Sequence, residues 1–205
     1  MTLSLRQKRR QETAFEIQRA TLEMAMQNGL ETTTTDDIAV ASGVSTRTFF
    51  NYYANKEAAA IGHPPGFSEE DKEFLRQGSG SIAADIKQLL DKQMEAMAGD
   101  EDILRMVGKV LRSNEKARGI LDGFLTAERD ELTEALCKRT DNRQTATALA
   151  TFVTDTIGRA IYLWEHEEDL SLGAALDVVW EGLIDASRLL LSPTKEVARD
   201  RVLTD

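Results

Sequence analysis

The stretch GVSTRTFFNYYANKEA, which spans residues 43–58, decides the fold of the N-terminal part of the chain. It contains two of the seven phenylalanines and two of the three tyrosines in the sequence. Gly43 can take the left-handed backbone conformation that a tight turn needs, and Ser45 is a favoured N-cap residue. These signals predict a turn at Gly43, followed by a short helix over residues 46–53.

A second short helix is predicted immediately before this turn. Thr34 and the aspartate three residues later resemble a capping box, and they open a helix over residues 35–42. A short helix, a glycine turn and a second helix make a helix-turn-helix. The first helix of the chain is predicted over residues 11–28. We expect it to cover Phe49 and Tyr53, which fall on one face of the helix after the turn.

The remainder of the chain also predicts helices. Apolar residues recur at helical spacing, alternating strand patterns are absent, and the sequence has only three prolines. Asn55 caps a fourth helix. Further helices are predicted over residues 69–76, 82–98, 101–113, 115–139, 143–167 and 172–191. The predicted fold class is therefore all-α.

Three segments are predicted along the chain. Residues 1–60 form the helix-turn-helix domain, residues 61–193 form a helical body, and residues 194–205 form a charged tail that frays. The boundary rests on the proline- and glycine-rich stretch at residues 62–81, which has the composition of a linker.

Charge is distributed unevenly between these segments. The formal net charge is -10, but residues 1–62 are neutral, with seven basic and seven acidic side chains. The first ten residues carry four basic side chains and no acidic one. This asymmetry suggests a phosphate-facing end joined to an acidic body. The single cysteine, the lack of a secretory leader and the lack of a membrane-length apolar run predict a cytoplasmic protein without an internal disulfide.

The polar side chains of the helix-turn-helix are candidates for DNA contacts. Recognition helices meet base edges through their N-terminal residues, and Arg47 has the donors that guanine accepts. The methyl groups of Thr46 and Thr48 could touch thymine, and Asn51 could read adenine or hold a phosphate. Hydroxyl and basic side chains around this helix suit phosphate contacts. The full candidate set is Arg9, Arg10, Thr34, Thr35, Ser45, Thr46, Arg47, Thr48, Asn51, Tyr52 and Lys56.

The order of these motifs carries a resemblance to a known family. The chain reads T-T-x-x-D-I-A at residues 33–39, S-G-V-S at residues 42–45 and T-F-F-N-Y-Y-A-N-K-E at residues 48–57. On these motifs, residues 13–58 resemble the N-terminal domain of TetR-like (tetracycline-repressor-like) regulators. The resemblance implies that the rest of the chain is a helical ligand-sensing and dimerisation domain.

The chain departs from the family pattern at three positions. Ser42, Arg47 and Phe50 stand where the family usually has Ala, Gly and Tyr. Arg47 suggests an altered base readout. Phe50 lacks the hydroxyl that a tyrosine would offer, so we leave it out of the hydrogen-bonding set.

The helices predicted over residues 143–167 and 172–191 are apolar on more than one face. One face can close the core of the body, and the other needs a second partner. That partner is either another part of the same chain or a second copy, in a two-fold interface of four helices. The resemblance favours the homodimer. Two recognition helices about 35 Å apart would read a pseudo-palindromic operator in double-stranded DNA.

A pocket for a small-molecule effector is predicted inside the body, among its first four long helices. Methionine suits a cavity that accepts varied apolar ligands, because its side chain is flexible and polarisable. The alternative for each candidate is ordinary core packing. The candidate lining residues are Met94, Met97, Met106, Phe124, Phe152 and Trp164.

Catalytic motifs are missing from the sequence. It has no CxxC, HExxH, Walker or GxGxxG pattern, so we expect neither an enzyme nor a bound metal or cofactor. We expect a ligand-responsive DNA-binding regulator, a repressor that releases its operator on binding a small apolar or amphipathic effector. One alternative is a helical protein–protein interaction module that does not bind DNA. Another is a hydrolase or metal-dependent enzyme, which the missing motifs disfavour.

Overall fold

The structure is a computed structural model that describes residues 4–191. These residues form helices and no strand, which confirms the all-α fold class. The predicted tail at residues 194–205 lies outside the described residues. The helices are α1 (Leu5–Asn28), α2 (Thr35–Ala41), α3 (Thr46–Phe50), α4 (Lys56–Ile61), α5 (Glu69–Gln77), α6 (Ile82–Met97), α7 (Glu101–Ser113), α8 (Glu115–Leu136), α9 (Arg143–His166) and α10 (Leu172–Leu191).

Helix α1 begins six residues earlier than the sequence predicted. Ser4 caps it, because its hydroxyl accepts a hydrogen bond from the amide of Gln7 while the Gln7 side chain accepts one from the Ser4 amide. The basic residues at the start of the chain therefore lie on a helix. Their exposed side chains project from the first turns of α1.

Helices α1 to α4 pack into a small N-terminal bundle, which we call the head. Its core is a cluster of buried side chains that includes Ile17, Ile38, Phe49 and Tyr53. Phe49 is completely buried, which stabilises the short α3 by about 1.5–3 kcal/mol. The predicted packing of Phe49 and Tyr53 is thus confirmed.

Helix α3 is shorter than predicted. It ends at Phe50, with Asn51 as its C-cap, and the chain turns through Tyr52 before α4 begins. The short length follows from the next N-cap: Asn55, in an extended conformation, accepts a hydrogen bond from the Ala58 amide and starts α4.

The stretch at residues 62–81, whose composition is typical of a linker, packs into the core of the body. Phe67 and Leu75 are buried in the largest hydrophobic cluster, and α5 packs against α6 and α8. This cluster also joins α6, α8, α9 and α10. The composition did not predict this packing, because the glycines and prolines lie only near the two ends of the segment. The helix between them is amphipathic and buries one face.

A separate hydrophobic cluster joins the head to the body. Leu22 of α1 and Ile61 of α4 pack together with Ile103, Val110 and Ala117 of α7 and α8. The predicted boundary at residues 60–61 therefore lies within a shared apolar contact. The head is held against the body by buried side chains as well as by the chain connection.

Candidate nucleic-acid interface

The turn between α2 and α3 aligns the two helices of the helix-turn-helix. Gly43 has a φ of 69°, in the left-handed region that glycine adopts at little cost. The Val44 amide donates to the carbonyl of Ala39 at 2.9 Å, which closes the turn. Thr34 and Ser45 cap the two helices by accepting from the amides of Asp37 and Thr48. Local hydrogen bonds thus fix the direction in which α3 leaves the turn.

The exposed face of α3 carries the side chains best suited to reading DNA. Arg47 and Asn51 are exposed, and within residues 4–191 the Arg47 guanidinium has no hydrogen-bond or ion-pair partner. Phe50, three residues after Arg47, is 53% exposed although it is aromatic. Residues three apart are neighbours on a helix surface, so an unpaired guanidinium and an exposed ring lie side by side.

The hydroxyl side chains of this region already have partners. Thr46 donates from Oγ1 to Asp36 Oδ1 at 2.6 Å, which ties the start of α3 to α2. The hydroxyls of Ser45 and Thr48 lie 2.8 Å apart. Thr34 donates to the Asp37 carboxylate, and Thr35 is half-buried. These side chains are held in place before any DNA arrives.

Arg10 is fixed against the end of α3, and Arg9 is exposed beside it. The Arg10 Nη2 donates to the carbonyl of Asn51 at 3.4 Å, and its Cζ lies 4.9 Å from the centre of the Tyr52 ring. This cation–π contact brings a basic group of α1 next to the recognition helix. The structure therefore brings Arg10, Asn51 and Tyr52 together.

The Lys56 ammonium donates hydrogen bonds to backbone carbonyls of the head. Its Nζ donates to the carbonyl of Glu31 at 2.8 Å and to that of Thr33 at 3.1 Å, and the side chain is half-buried. The ammonium therefore holds the loop between α1 and α2. An ammonium has three donors, so one is left for a phosphate.

Tyr53 is buried in the core of the head and ties the chain after α3 to α1. Its hydroxyl donates to the carbonyl of Ala14 at 3.1 Å and lies 3.1 Å from Nδ1 of His63. Because the carbonyl takes the hydroxyl proton, the tyrosine oxygen is left to accept from the imidazole. Burial raises the pKa of Tyr53 to about 12, so the hydroxyl stays protonated.

The six predicted ligand-binding residues lie in different parts of the body. Met94, Met97 and Trp164 are buried together in the largest cluster, and the Arg105 Cζ lies 4.1 Å from the centre of the Trp164 ring. Phe152 packs against the same cluster and edge-on against Trp180, whereas Met106 packs at the head–body contact and Phe124 is half-buried on α8. The structure thus brings four of the six into one cluster.

The outer faces of α9 and α10 expose apolar side chains. Tyr162 and Val178 are 50% and 52% exposed, and Leu189 is 76% exposed. A methyl group added at Gly158 or Gly182 would meet no atom within 4 Å. These two helices match the ranges predicted for them, except that α9 ends one residue earlier. They present an open apolar surface.

The described part of the chain, residues 4–191, contains neither a helix that could span a membrane nor a cluster of metal-ligating side chains. None of its helices is long and apolar enough to cross a membrane. No group of three or more histidine, cysteine, aspartate or glutamate side chains in residues 4–191 is placed to hold a metal ion.

Sequence reasoning missed several residues that shape this interface. Asp36 accepts a hydrogen bond from Thr46 and Glu31 accepts one from Asn114, and no local sequence pattern predicts either contact. Val40 is 80% exposed on α2, an unusual position for a β-branched apolar side chain. Its exposure was detectable from the helical register, since Ile38 and Ala39 form the buried face.

Comparison with known proteins agrees with this arrangement. Residues 17–58 match the family described as "Bacterial regulatory proteins, tetR family". The HTH-type transcriptional regulator TcmR of Streptomyces glaucescens is 33% identical over 95 residues, which cover 46% of this chain and only 38% of TcmR. MftR of Mycobacterium tuberculosis, whose name assigns it to transcriptional regulation of mycofactocin biosynthesis, is 26% identical and covers 86% of this chain and 93% of its own length.

A solved structure shares the fold over most of the chain. The transcriptional regulator FadR of Bacillus subtilis, solved in complex with stearoyl-CoA, superposes with a TM-score of 0.51. The match covers 83% of this chain and 97% of that chain, at 22% sequence identity. An N-terminal helix-turn-helix and a helical body are therefore the shared architecture.

Proposed function

Since the chain is a transcriptional regulator of the tetR family, we propose that it is a homodimeric repressor that releases its operator when a small apolar or amphipathic effector binds. The observation that carries the proposal is the exposed, prearranged face of α3, with Arg47 and Asn51 directed away from a rigid head. A recognition helix needs this combination, because a mobile helix would have to become ordered on binding DNA, and the entropy cost of that ordering would lower the affinity.

The head is suited to the major groove. Arg47 can donate two hydrogen bonds to O6 and N7 of guanine, and the exposed Phe50 ring can touch a thymine methyl group. Arg9, Arg10 and the remaining donor of Lys56 supply charge for phosphate contacts, which position a protein without reading sequence. DNA contacts at the candidate residues are part of this proposal.

The homodimer would form through the outer faces of α9 and α10. Exposed apolar side chains such as Val178, Tyr162 and Leu189 support this, because a solvated helix face normally carries polar residues. Gly158 and Gly182 would let two helices approach closely. A two-fold axis through such a four-helix interface places two heads on one operator.

The effector would bind the body and favour one of two arrangements of the heads. Repression is relieved only if the effector binds the DNA-free arrangement more tightly than the DNA-bound one. Met94, Met97 and Trp164, which are buried in the largest cluster, are the residues proposed to line the effector site. The stearoyl-CoA bound to the Bacillus subtilis relative makes fatty acyl-CoA thioesters the first amphipathic compounds to test.

Selection of bound sequences from random DNA, with the full chain, tests this function. We expect enrichment of a sequence with two related half-sites. Fluorescence anisotropy on the enriched operator should then show release by an acyl-CoA or another amphipathic compound. A chain that enriches no sequence, and binds DNA without salt dependence or not at all, contradicts the proposal and favours the protein–protein interaction module.

A further inference from the structure

We infer that Asp36 is a positioning residue for DNA specificity, because it converts the Thr46 hydroxyl into a hydrogen-bond acceptor at the first position of the recognition helix. The inference rests on the proposed DNA-binding function. It concerns a side chain that does not itself need to touch a base.

The contact between the two side chains has a defined direction. Thr46 Oγ1 and Asp36 Oδ1 lie 2.6 Å apart. A carboxylate only accepts hydrogen bonds, so the single hydroxyl proton of Thr46 points at Asp36. Contacts of this kind to a charged acceptor are shorter and stronger than neutral ones.

The direction of this bond decides what Thr46 can offer to DNA. A free threonine hydroxyl rotates and can donate or accept, so it discriminates poorly between bases. With its proton held by Asp36, the Thr46 oxygen presents only lone pairs. Thr46 is the first residue of α3 and only half-buried, so these lone pairs face the end of the helix that meets base edges.

Only two bases present a matching donor in the major groove. Cytosine offers N4–H and adenine offers N6–H, whereas guanine and thymine offer acceptors at O6 and O4. One hydrogen bond of typical net strength corresponds to about a fivefold difference in affinity. We therefore expect one position in each half-site to prefer cytosine or adenine over guanine or thymine by about fivefold.

Asp36 has no competing partner in the described part of the chain. Its neighbour Asp37 pairs with Thr34, but no lysine or arginine in residues 4–191 forms an ion pair with Asp36. The carboxylate is exposed, so its charge also repels phosphates. That repulsion acts on every sequence alike, and it must be separated from the effect on specificity.

Two neutral variants make this separation. Asp36→Ala and Asp36→Asn remove the same charge, so both should bind all sequences more tightly. Only the asparagine keeps a carbonyl oxygen that can accept the Thr46 proton. We expect Asp36→Asn to retain the preference for cytosine or adenine and Asp36→Ala to lose it, as measured by selection from random DNA and by anisotropy on operators altered at that position.

A second pair of variants tests the route through Thr46. Thr46→Val removes the hydroxyl and nearly preserves the shape, so it should abolish the preference. Adding Asp36→Ala to Thr46→Val should then change affinity but not base preference. Circular dichroism and thermal unfolding of each variant check that the head remains folded.

Three outcomes would overturn the inference. These are a base preference that is unchanged in Asp36→Ala, one that is lost equally in both neutral variants, and one that Asp36→Ala alters when Thr46 is already valine. Failure of the unaltered protein to enrich any sequence contradicts the proposed function and this inference together. Enrichment by the unaltered protein with no change in Asp36→Ala contradicts this inference alone.

Discussion

Individual side chains in the head have separable tasks. Phe49 and Tyr53 are buried and hold α3 in place, whereas Arg47 and Phe50 of α3 and its C-cap Asn51 are exposed. Lys56 combines both tasks, because it bonds to the loop between α1 and α2 and retains a donor. Substitutions at single residues can therefore distinguish the proposed contacts with DNA bases from contacts that stabilise the head.

Arg47→Ala tests base reading. It removes the one guanidinium of α3, which is free within the described chain, so we expect a loss of about 1–3 kcal/mol of operator binding and a relaxed preference at one base position. Selection from random DNA measures this. Lys138→Ala, which removes an equal charge after the end of α8, is the control and should leave base preference intact. Equal specificity of Arg47→Ala and the unaltered protein would reject the base-reading role.

Lys56→Ala tests a phosphate contact against a structural one. If the third donor of the ammonium binds a phosphate, affinity falls for all sequences alike and the slope of log affinity against log salt becomes smaller by about one. The lost bonds to Glu31 and Thr33 also lower the melting temperature. A lower melting temperature with an unchanged salt slope would leave Lys56 with the structural role alone.

At the scale of helices, two polar contacts join the head to the start of α8. Asn114 Oδ1 accepts from the Ala117 amide at 2.8 Å and caps α8, while its Nδ2 donates to Glu31 Oε1 at 2.7 Å. Lys116 Nζ lies 3.2 Å from the buried Glu57 carboxylate at the start of α4. The start of α8 thus contacts two segments of the head. A movement of α8 would therefore shift the segments that flank the helix-turn-helix.

Variants at Asn114 separate the two bonds. Asn114→Ala removes both, so we expect the free energy of unfolding to fall by about 1–2 kcal/mol. Asn114→Asp keeps an N-cap but places a carboxylate opposite Glu31, so it too should destabilise the protein. Urea unfolding measures both effects. Adding Glu31→Gln should restore stability to Asn114→Asp only, and failure of that rescue would contradict a direct contact.

Asp71, in the first turn of α5, should make the stability of the protein depend on pH. Asp71 forms its capping box with Ser68. Burial raises the pKa of Asp71, but hydrogen bonds from Lys92 and Ser68 outweigh it and hold the pKa below its ordinary value. The folded state therefore prefers the charged form. This contribution is present above about pH 4 and is lost as the pH falls through the folded pKa.

The test compares the unaltered protein with Asp71→Asn. Asparagine cannot titrate, so its unfolding free energy should fall less between about pH 5 and about pH 3 than that of the unaltered protein. Urea unfolding at the two pH values measures the difference. Parallel pH profiles for the two proteins would show that Asp71 contributes nothing to the acid sensitivity.

At the scale of the whole molecule, the charge and the apolar surface are separated. The first 62 residues are neutral overall, while the rest of the chain carries the net charge of -10. The exposed apolar side chains of α9 and α10 lie on this acidic part. In the proposed dimer, phosphates would repel the acidic body but not the neutral heads, and this difference would orient the protein on DNA.

Val178→Glu tests the dimer. A carboxylate on the proposed interface would be desolvated without a partner, so we expect the dimer to dissociate and operator affinity to fall by at least about tenfold. Analytical ultracentrifugation and anisotropy measure the two effects. Phe74→Glu, at another exposed apolar side chain on α5, should leave the dimer intact. A Val178→Glu protein that stays dimeric would place the interface elsewhere.

The sequence by itself determined the all-α class, the helix-turn-helix and the starts of most helices. These depend on local signals, such as Ser45 and Asn55 as caps, Gly43 in a left-handed turn and the helical spacing of apolar residues, and each acts over a few positions. Ser4, the N-cap of α1, is a local signal of the same kind. Tertiary structure alone decided which side chains meet over long separations. Asp36 reaches Thr46 across ten positions and Asn114 reaches Glu31 across 83, because chain folding, and not sequence spacing, brings their atoms within hydrogen-bond distance.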